Sequence, residues 1–202
     1  MKHRLIILAW ALIISLSVGA WSQRNSLTTY SVSENSRLRV EGTSTIHAWT
    51  CEAHSVSGTV EVESNLDTSP KIVSTQIVIP VADLDCDNAT MNKKMLKALG
   101  SETSPNILFE LDDAVVSTDQ AGNPTHVDVD GWLMIAGRTR PIELTEISIS
   151  RAFEGLEFSG SVKLLMSDFG VKPPTALLGT IKTGDQVEIH FNLLVSEEKE
   201  SS

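Results

Sequence analysis

The sequence predicts an all-β protein, a closed antiparallel barrel with one short helix. Three observations lead to this prediction. Apolar and polar residues alternate with period two in one segment after another, turn-forming residues separate these segments, and a single stretch has the helical period instead. Period two with a polar outer face is typical of antiparallel strands that surround one core.

The alternating segments are long, and their length favours a barrel. Several exceed the usual strand length of about five or six residues, and closure of such strands into a barrel leaves no free edge. Their apolar faces are Val56–Val62, Val73–Val81, Ile107–Leu111, Val127–Ile135, Phe158–Leu164 and Val187–Leu193. The turn signals are Asn65–Pro70, Gln120–Pro124, Ala136–Gly137, Glu154–Gly155 and Thr183–Asp185.

One segment, DNATMNKKMLKALG at residues 87–100, has the helical period. Asn88 or Thr90 can cap its start, and Gly100 can end it. Its apolar stripe consists of Met91, Met95, Leu96 and Leu99. The lysines that we assign to its solvent side are Lys93, Lys94 and Lys97. A single helix in a barrel usually covers one end, so we expect a lid.

The first twenty residues have the layout of a secretory signal peptide. Lys2 and Arg4 precede an apolar run from Leu5 to Val18, and small residues follow at the position that an export peptidase reads. The run is short for a membrane span, and an uncleaved anchor helix is the alternative. We therefore predict a signal peptide over 1–20, one domain over 21–202, a periplasmic or secreted location, and no stable membrane span after cleavage.

The charge of the chain bears on its partners. Removal of Lys2 and Arg4 with the signal peptide changes the formal net charge from −10 to −12, because residues 1–20 contain no acidic residue. An acidic domain without a basic cluster repels phosphate backbones, so we expect no nucleic-acid partner. A basic patch that binds anionic lipid surfaces is disfavoured for the same reason. A homodimer is compatible with the sequence.

Three potential metal ligands, His47, Cys51 and His54, lie within eight residues. On a strand, His47 and Cys51 share a face but lie about 13 Å apart, and His54 points to the other face. Zinc needs its ligands within about 2.3 Å of one point, so we predict that these residues bind no metal. The run Asp83–Asn88 resembles the start of a calcium loop but lacks the glycine and the glutamate that such a loop requires. We therefore expect no metal and no cofactor.

The two cysteines of the chain, Cys51 and Cys86, predict a disulfide, because an exported protein meets an oxidising compartment. Such a bond stabilises the fold by roughly 3–4 kcal/mol in the chain-entropy model. Without a C-x-x-C motif, a structural bond is more expected than a catalytic redox pair. The chain also lacks a G-x-S-x-G motif and a Ser/His/Asp framework, so we predict that it is not an enzyme.

Several motifs follow one another along the chain in a specific order. They are STIHAWTCEAHSVSGTV, ATMNKKMLKALGSETSPNILFEL, VDGWLMIAGRTRPIEL, and MSDFGVKPP followed by GDQVEIHFNLLV. Together they resemble the YceI-like family of lipid/polyisoprenoid-binding proteins over a core of about 30–195. The resemblance implies an extended lipocalin-like antiparallel barrel, often periplasmic, that encloses an isoprenoid chain. We therefore predict eight strands with one short lid helix.

A barrel of about eight strands can hold one slender ligand, and methionines adapt to irregular apolar ligands. We expect a polyisoprenoid quinone or polyprenyl lipid, bound for sequestration or transport. The expected ligand-lining residues are His47, Trp49, Met91, Met95, Leu99, Phe109, Trp132, Phe158 and Phe169, although the sequence does not set the inward parity of every strand. One alternative is an envelope or stress-related interaction protein with a filled core. Another is a barrel hydrolase or isomerase, which would need convergent polar groups deep in the pocket.

Overall fold

The predicted all-β barrel is confirmed. The computed structural model describes residues 26–65, 68–153 and 155–198, of which most lie in strands that close into an eight-stranded antiparallel barrel. The described residues contain one α-helix. The predicted signal peptide over 1–20 lies outside the described residues. Within them, no helix is both long enough and apolar enough to cross a membrane.

The barrel is built from twelve strand segments and the helix. The segments are β1 (Ser26–Val32), β2 (Arg37–Ser44), β3 (Ala48–Ala53), β4 (Ser57–Asn65), β5 (Thr68–Pro80), β6 (Leu84–Asp85), β7 (Asn106–Thr118), β8 (Pro124–Ile135), β9 (Arg138–Ala152), β10 (Gly155–Leu165), β11 (Thr175–Ala176) and β12 (Ile181–Glu197). The helix α1 spans Ala89–Leu99 between β6 and β7.

Three pairs of short segments each act as one long strand. The pairs are β1 with β2, β3 with β4, and β5 with β6. Both β1 and β2 pair with β12. On their other side, β1 pairs with β4 and β2 pairs with β3, and in turn β4 pairs with β5 and β3 pairs with β6. From β7 to β10 each strand pairs with the next, and β10 pairs with β12. The pairing of Val32 with Val195 closes the barrel. The chain therefore follows the barrel in simple up-and-down order, the topology that long consecutive strands favour.

The interruption between β1 and β2 explains a buried serine. Ser36 is 4% exposed, and its hydroxyl accepts a hydrogen bond from the backbone N–H of Leu194 at 3.0 Å and donates to the carbonyl of Leu194 at 3.4 Å. The Ser36 hydroxyl thus supplies the acceptor for the Leu194 N–H where the regular ladder is broken, while the Leu194 carbonyl also accepts from the backbone N–H of Ser33 at 2.7 Å. This arrangement avoids the cost of an unpaired polar group in the barrel wall.

One predicted turn is wrong. The Thr183–Asp185 segment lies inside β12 rather than between two strands. The register of β12 against β2 shifts between Thr183 and Val187, so a bulge accommodates the turn-forming residues. Asp185 supports this bulge because its carboxylate accepts a hydrogen bond from the backbone N–H of Ser167 at 2.9 Å.

The two ends of the barrel differ in packing. Away from α1, the interior contains a buried cluster that consists of Val60, Val62, Ile72, Val127, Val129, Ile147, Ile149 and Val195. Below α1, a second cluster includes Ala53, Val56 and Ile77, against which Met95 and Leu99 of the helix pack. The helix therefore packs on one half of the core, and the first cluster forms the other half.

The ladder between β9 and β10 covers five of the 15 residues of β9 and five of the 11 residues of β10. It runs from Ser148–Ala152 to Gly155–Ser159. Beyond it, the 3₁₀ turn at Met166–Phe169 packs against β9. Arg140 Nε of β9 donates to the carbonyl of Asp168 at 3.0 Å. Phe169 is buried in a cluster with Leu133. The wall at this corner is therefore formed by a turn and its phenylalanine.

Candidate ligand-binding cavity

Two adjoining cavities lie inside the barrel. The outer cavity, below α1, has a volume of about 440 Å³, and the inner cavity has a volume of about 160 Å³. Five residues line both of them, namely Val40, Leu84, Ile107, Ile135 and Ile189. The inner cavity extends into the buried cluster of the other half of the barrel, since its walls include Val60, Val129 and Val195 of that cluster. The interior therefore holds a largely apolar space that extends from the helix into the barrel.

Eight of the nine predicted lining residues lie on these walls. Those on the outer cavity are His47, Trp49, Met91, Met95, Leu99 and Phe169, and those on the inner cavity are Phe109 and Phe158. The structure thus brings residues from five separate stretches of the chain to one interior space. Their contact with a ligand stays a prediction.

The prediction for Trp132 is wrong. Its side chain is 45% exposed, and it lines neither cavity. It lies in β8 between Gly131 and Leu133, both of which face the interior. Because side chains alternate across a strand, the residue between two inward positions must point outward. Trp132 is therefore part of the outer surface.

Glycines make room for two of the lining rings. Gly42 in β2 pairs with Trp49 in β3, and a β-carbon at position 42 would lie 2.2 Å from Trp49 Cζ2. The indole Nε1 donates to the carbonyl of Thr43 at 3.1 Å, which holds the ring across the strand. In the same way, a β-carbon at Gly131 would lie 2.6 Å from the ring of Phe109. Gly42 and Gly131 thus leave the space that the rings of Trp49 and Phe109 occupy.

The lid helix forms where the sequence predicts it. The Asn88 side chain accepts hydrogen bonds from the backbone N–H groups of Thr90 and Met91, both at 3.0 Å. Gly100 follows the helix in the left-handed conformation, with φ 64°, and its N–H bonds to the last carbonyls. Of the two predicted caps, Asn88 is the one that is used.

A disulfide attaches the start of the lid to the barrel wall, as predicted. Cys51 in β3 is bonded to Cys86, which precedes α1, with 3.9 Å between their Cα atoms. Both are buried and both line the outer cavity. The Cys86 sulfur lies 3.7 Å from Met95 Sδ. The bond therefore holds the helix and one of its methionines against the wall.

A polar network holds the same region from outside. The Asp85 carboxylate accepts hydrogen bonds from Asn92 Nδ2 at 2.7 Å and from the Asp87 backbone N–H at 2.9 Å, and it lies 3.4 Å from His54 Nε2. The hydrogen bond from Asn92, followed by that from His54, lowers the pKa of Asp85 below its ordinary value. The ionised carboxylate thus joins α1 to β6 and to the end of β3.

The three residues first considered as metal ligands are separated. Cys51 is in the disulfide, His54 faces Asp85, and His47 lies at the β2–β3 turn, where its Nδ1–H donates to the carbonyl of Ala48 at 2.7 Å. Among the described residues, no three His, Cys, Asp or Glu side chains are arranged to hold a metal ion. The absence of a metal in the native protein stays a prediction.

Sequence reasoning missed Lys94. We assigned it to the solvent side of α1, but it lines the outer cavity, and its Nζ donates to the carbonyl of Thr175 at 3.0 Å. Its position three residues after Met91 and four after Thr90 puts it on the flank of the apolar stripe. That spacing was the available signal. The aliphatic walls, such as Val40 and Ile189, were also not among the predicted site residues.

The polar groups of the cavity walls are unevenly distributed. The outer cavity has several, namely Ser44, His47, Asn88, Thr90, Lys94, Thr175 and Thr183. Of the described residues that line the inner cavity, only Thr75 has a polar side chain. The walls can therefore enclose an apolar chain in the inner part and contact a polar group in the outer part.

Comparison with known proteins agrees with this architecture. The sequence profile of the YceI-like domain matches residues 30–195. No curated protein sequence matches the chain significantly. Among solved structures, Burkholderia cenocepacia BcnA is similar, with a TM-score of 0.63 and 18% identity over 82% of this chain and 99% of that one.

Two further structures have the same fold. A polyisoprenoid binding domain from Saccharophagus degradans, implicated in plant cell wall breakdown, has a TM-score of 0.63 and 13% identity over 86% of this chain and 100% of that one. A Campylobacter jejuni YceI protein, a mutant with a monobromobimane guest, has a TM-score of 0.56 and 18% identity over 74% and 85%. The sequence match covers most of the chain, and we conclude that this protein belongs to the YceI-like family.

Proposed function

We propose that this protein is an exported lipid-binding protein that encloses a long apolar ligand, a polyisoprenoid such as a quinone or a polyprenyl lipid, for sequestration or transport. The observation that carries this proposal is the largely apolar pocket below α1. The description of the similar Saccharophagus degradans domain as polyisoprenoid binding supports the choice of ligand.

The energetics of such binding follow from the walls. A long hydrocarbon chain is poorly soluble, and each square ångström of its apolar surface removed from water contributes about 25 cal/mol. The inner cavity presents aliphatic residues and the rings of Phe109, Phe158 and Phe191 to this chain. Binding energy of this kind does not depend on a specific hydrogen bond, so the chain itself would supply most of the affinity.

Two features support export. The first is the predicted signal peptide over 1–20. The second is the Cys51–Cys86 disulfide, because such bonds persist in oxidising compartments such as the periplasm and the extracellular space. A periplasmic or secreted location would also give a carrier access to lipids outside the cytoplasm.

We also propose that the protein is not an enzyme. General acid–base or nucleophilic catalysis needs positioned polar groups around the reacting atoms. Of the described residues that line the inner cavity, only Thr75 has a polar side chain, and the polar groups of the outer cavity come from β2, the β2–β3 turn, α1 with its N-cap, β11 and β12. The filled-core alternative would require side chains in the space that the two cavities occupy.

The test is to extract the purified protein with organic solvent and to identify the lipid by mass spectrometry. Ile189 lines both cavities, so Ile189→Trp should fill the junction between them and reduce the bound lipid. Gln186→Trp is the matched control, since it adds the same ring to an exposed position of β12. Equal lipid in wild type and Ile189→Trp, with both folded, would contradict binding in this pocket.

A further inference from the structure

Among the described residues, the ionisable side chains on the cavity walls are bases, and none is a carboxylate. The chain has 26 acidic and 16 basic residues. Yet among the described residues that line the two cavities, the only ionisable side chains outside the disulfide are Lys94 and His47, and none is a carboxylate. Both lie on the outer cavity. The opening of the pocket therefore offers groups that can be cationic, in a protein that is otherwise strongly acidic.

The Lys94 ammonium is not neutralised by an acidic partner. Its Nζ uses one of its three hydrogens in the bond to the carbonyl of Thr175. No carboxylate of the described residues lies within 4.0 Å of it, in contrast to Lys163, which faces Glu188 at 3.9 Å. Lys94 is half-buried as a residue, while the hydrogen bond of its Nζ to Thr175 is exposed. An anion in the outer cavity would complete the hydrogen bonding of this ammonium.

We propose that Lys94 contacts the head group of the ligand, and that the ligand is an amphiphile with an anionic head, a phosphate or a carboxylate, whose chain lies in the barrel. This inference rests on the lipid-binding function proposed above and selects among its ligands. The orientation follows from the walls: the head stays in the outer cavity with Lys94, and the chain enters the inner cavity.

His47 is placed to assist. Its Nδ1–H is used by the carbonyl of Ala48, which leaves Nε2 as the nitrogen that can reach a ligand. Ser44, Thr175 and Thr183 line the same outer cavity and contribute hydroxyl groups. The absence of carboxylates from these walls matters as much as Lys94, because an acidic side chain there would repel an anionic head.

A merely structural role for Lys94 makes a different prediction. If its bond to Thr175 only holds the lid closed, its loss should weaken all apolar ligands to the same extent. If it contacts the head, its loss should weaken anionic ligands alone. The two roles can be separated with two ligands that share a chain and differ in the head, namely geranylgeranyl monophosphate and geranylgeraniol.

The experiment measures the dissociation constants of both lipids, below their aggregation concentrations, for wild type, Lys94→Met, Lys94→Arg and Lys97→Met. Lys97 is exposed on the same helix and lines neither cavity, so Lys97→Met is the matched control. We expect wild type to bind the monophosphate about ten- to a hundredfold more tightly than the alcohol, as for a hydrogen bond to a charged group. Lys94→Met should abolish this preference without changing alcohol binding, and Lys94→Arg and Lys97→Met should retain it.

Equal affinities of wild type for the two lipids would overturn the proposal, as would an equal loss of both in Lys94→Met. If wild type binds neither lipid, the lipid-binding function itself fails, and this inference fails with it. If wild type binds the alcohol and Ile189→Trp does not, lipid binding holds, and the result for the monophosphate decides the role of Lys94.

Discussion

The indole of Trp49 occupies the space that a side chain at Gly42 would need. The two residues face each other across β2 and β3, and a β-carbon at position 42 would come within 2.2 Å of the ring. The ring also forms part of the outer cavity wall. The lack of a side chain at Gly42 therefore allows both the packing of this strand pair and the position of Trp49 in the outer cavity wall.

Gly42→Ala should destabilise the protein by about 1–3 kcal/mol, because an added methyl group in a tightly packed site forces its neighbours to move. Urea denaturation measures this change. In a Trp49→Ala background the same substitution should cost much less, since the ring is gone. Equal costs in the two backgrounds would show that the contact with Trp49 is not the cause.

The methionines of the lid should matter more for ligand retention than for folding. Met91 and Met95 line the outer cavity, so Met91→Glu with Met95→Glu would place two carboxylates on an apolar wall. We expect co-purified lipid to fall about tenfold or more, since an unpaired charge near apolar surface is costly. Thermal unfolding and lipid content should be measured together. The control is Met91→Leu with Met95→Leu, and unchanged lipid in the glutamate variant would show that the helix does not contact the ligand.

Removal of the disulfide should lower the free energy of unfolding. The bond joins residues that are 35 positions apart, and loss of this link in Cys51→Ala with Cys86→Ala should cost roughly 3–4 kcal/mol in the chain-entropy model. Reduction of the wild type with a thiol should have a similar effect in the same denaturation assay. Two free thiols in the wild-type protein, produced in an oxidising compartment and detected by mass mapping without reduction, would contradict the bond.

The stability of the lid attachment should depend on pH through Asp85. Its folded-state pKa is lowered, chiefly by the hydrogen bond from Asn92. A lowered pKa means that the stabilisation is complete above the unfolded pKa of about 4 and is lost as pH falls through the lower folded value. In Asp85→Asn this contribution is absent.

The melting temperatures of wild type and Asp85→Asn, measured between about pH 2 and pH 7, should therefore differ most near neutral pH. The difference should shrink as the pH falls below about 4. A difference that is the same at every pH would show that ionisation of Asp85 does not contribute.

Local sequence patterns were sufficient for most elements of the fold. Alternation predicted the long strands, and Asn88 and Gly100 predicted the ends of the helix, because both kinds of signal act between residues that are near in the chain. The disulfide was predicted from an export context that itself stays a prediction, and the structure contains this bond. Eight of the nine expected lining residues lie on the cavity walls. Helical periodicity selected Met91, Met95 and Leu99, whereas the aromatic residues were selected by type.

Lys94 and Trp132 show where such patterns end. Helical spacing gives the angle of Lys94 around α1, but whether that angle faces water or a cavity depends on where the helix lies over the barrel. Trp132 was selected as a large aromatic residue, whereas the parity of β8 assigns it to the outside. The packing of distant segments decides the position of Lys94, whereas the local alternation of β8 already places Trp132 on the outer face.

By itself the sequence determined an all-β chain with one lid helix, a pair of cysteines and an apolar inward face, because these depend on residue type and on spacing along the chain. The tertiary structure alone decided that the barrel closes between Val32 and Val195 and that two adjoining cavities remain inside it. A cavity is the space left between strands that are far apart in sequence. Its volume is set by their pairing and by close contacts such as that of Trp49 with Gly42, and neither is a property of any single segment.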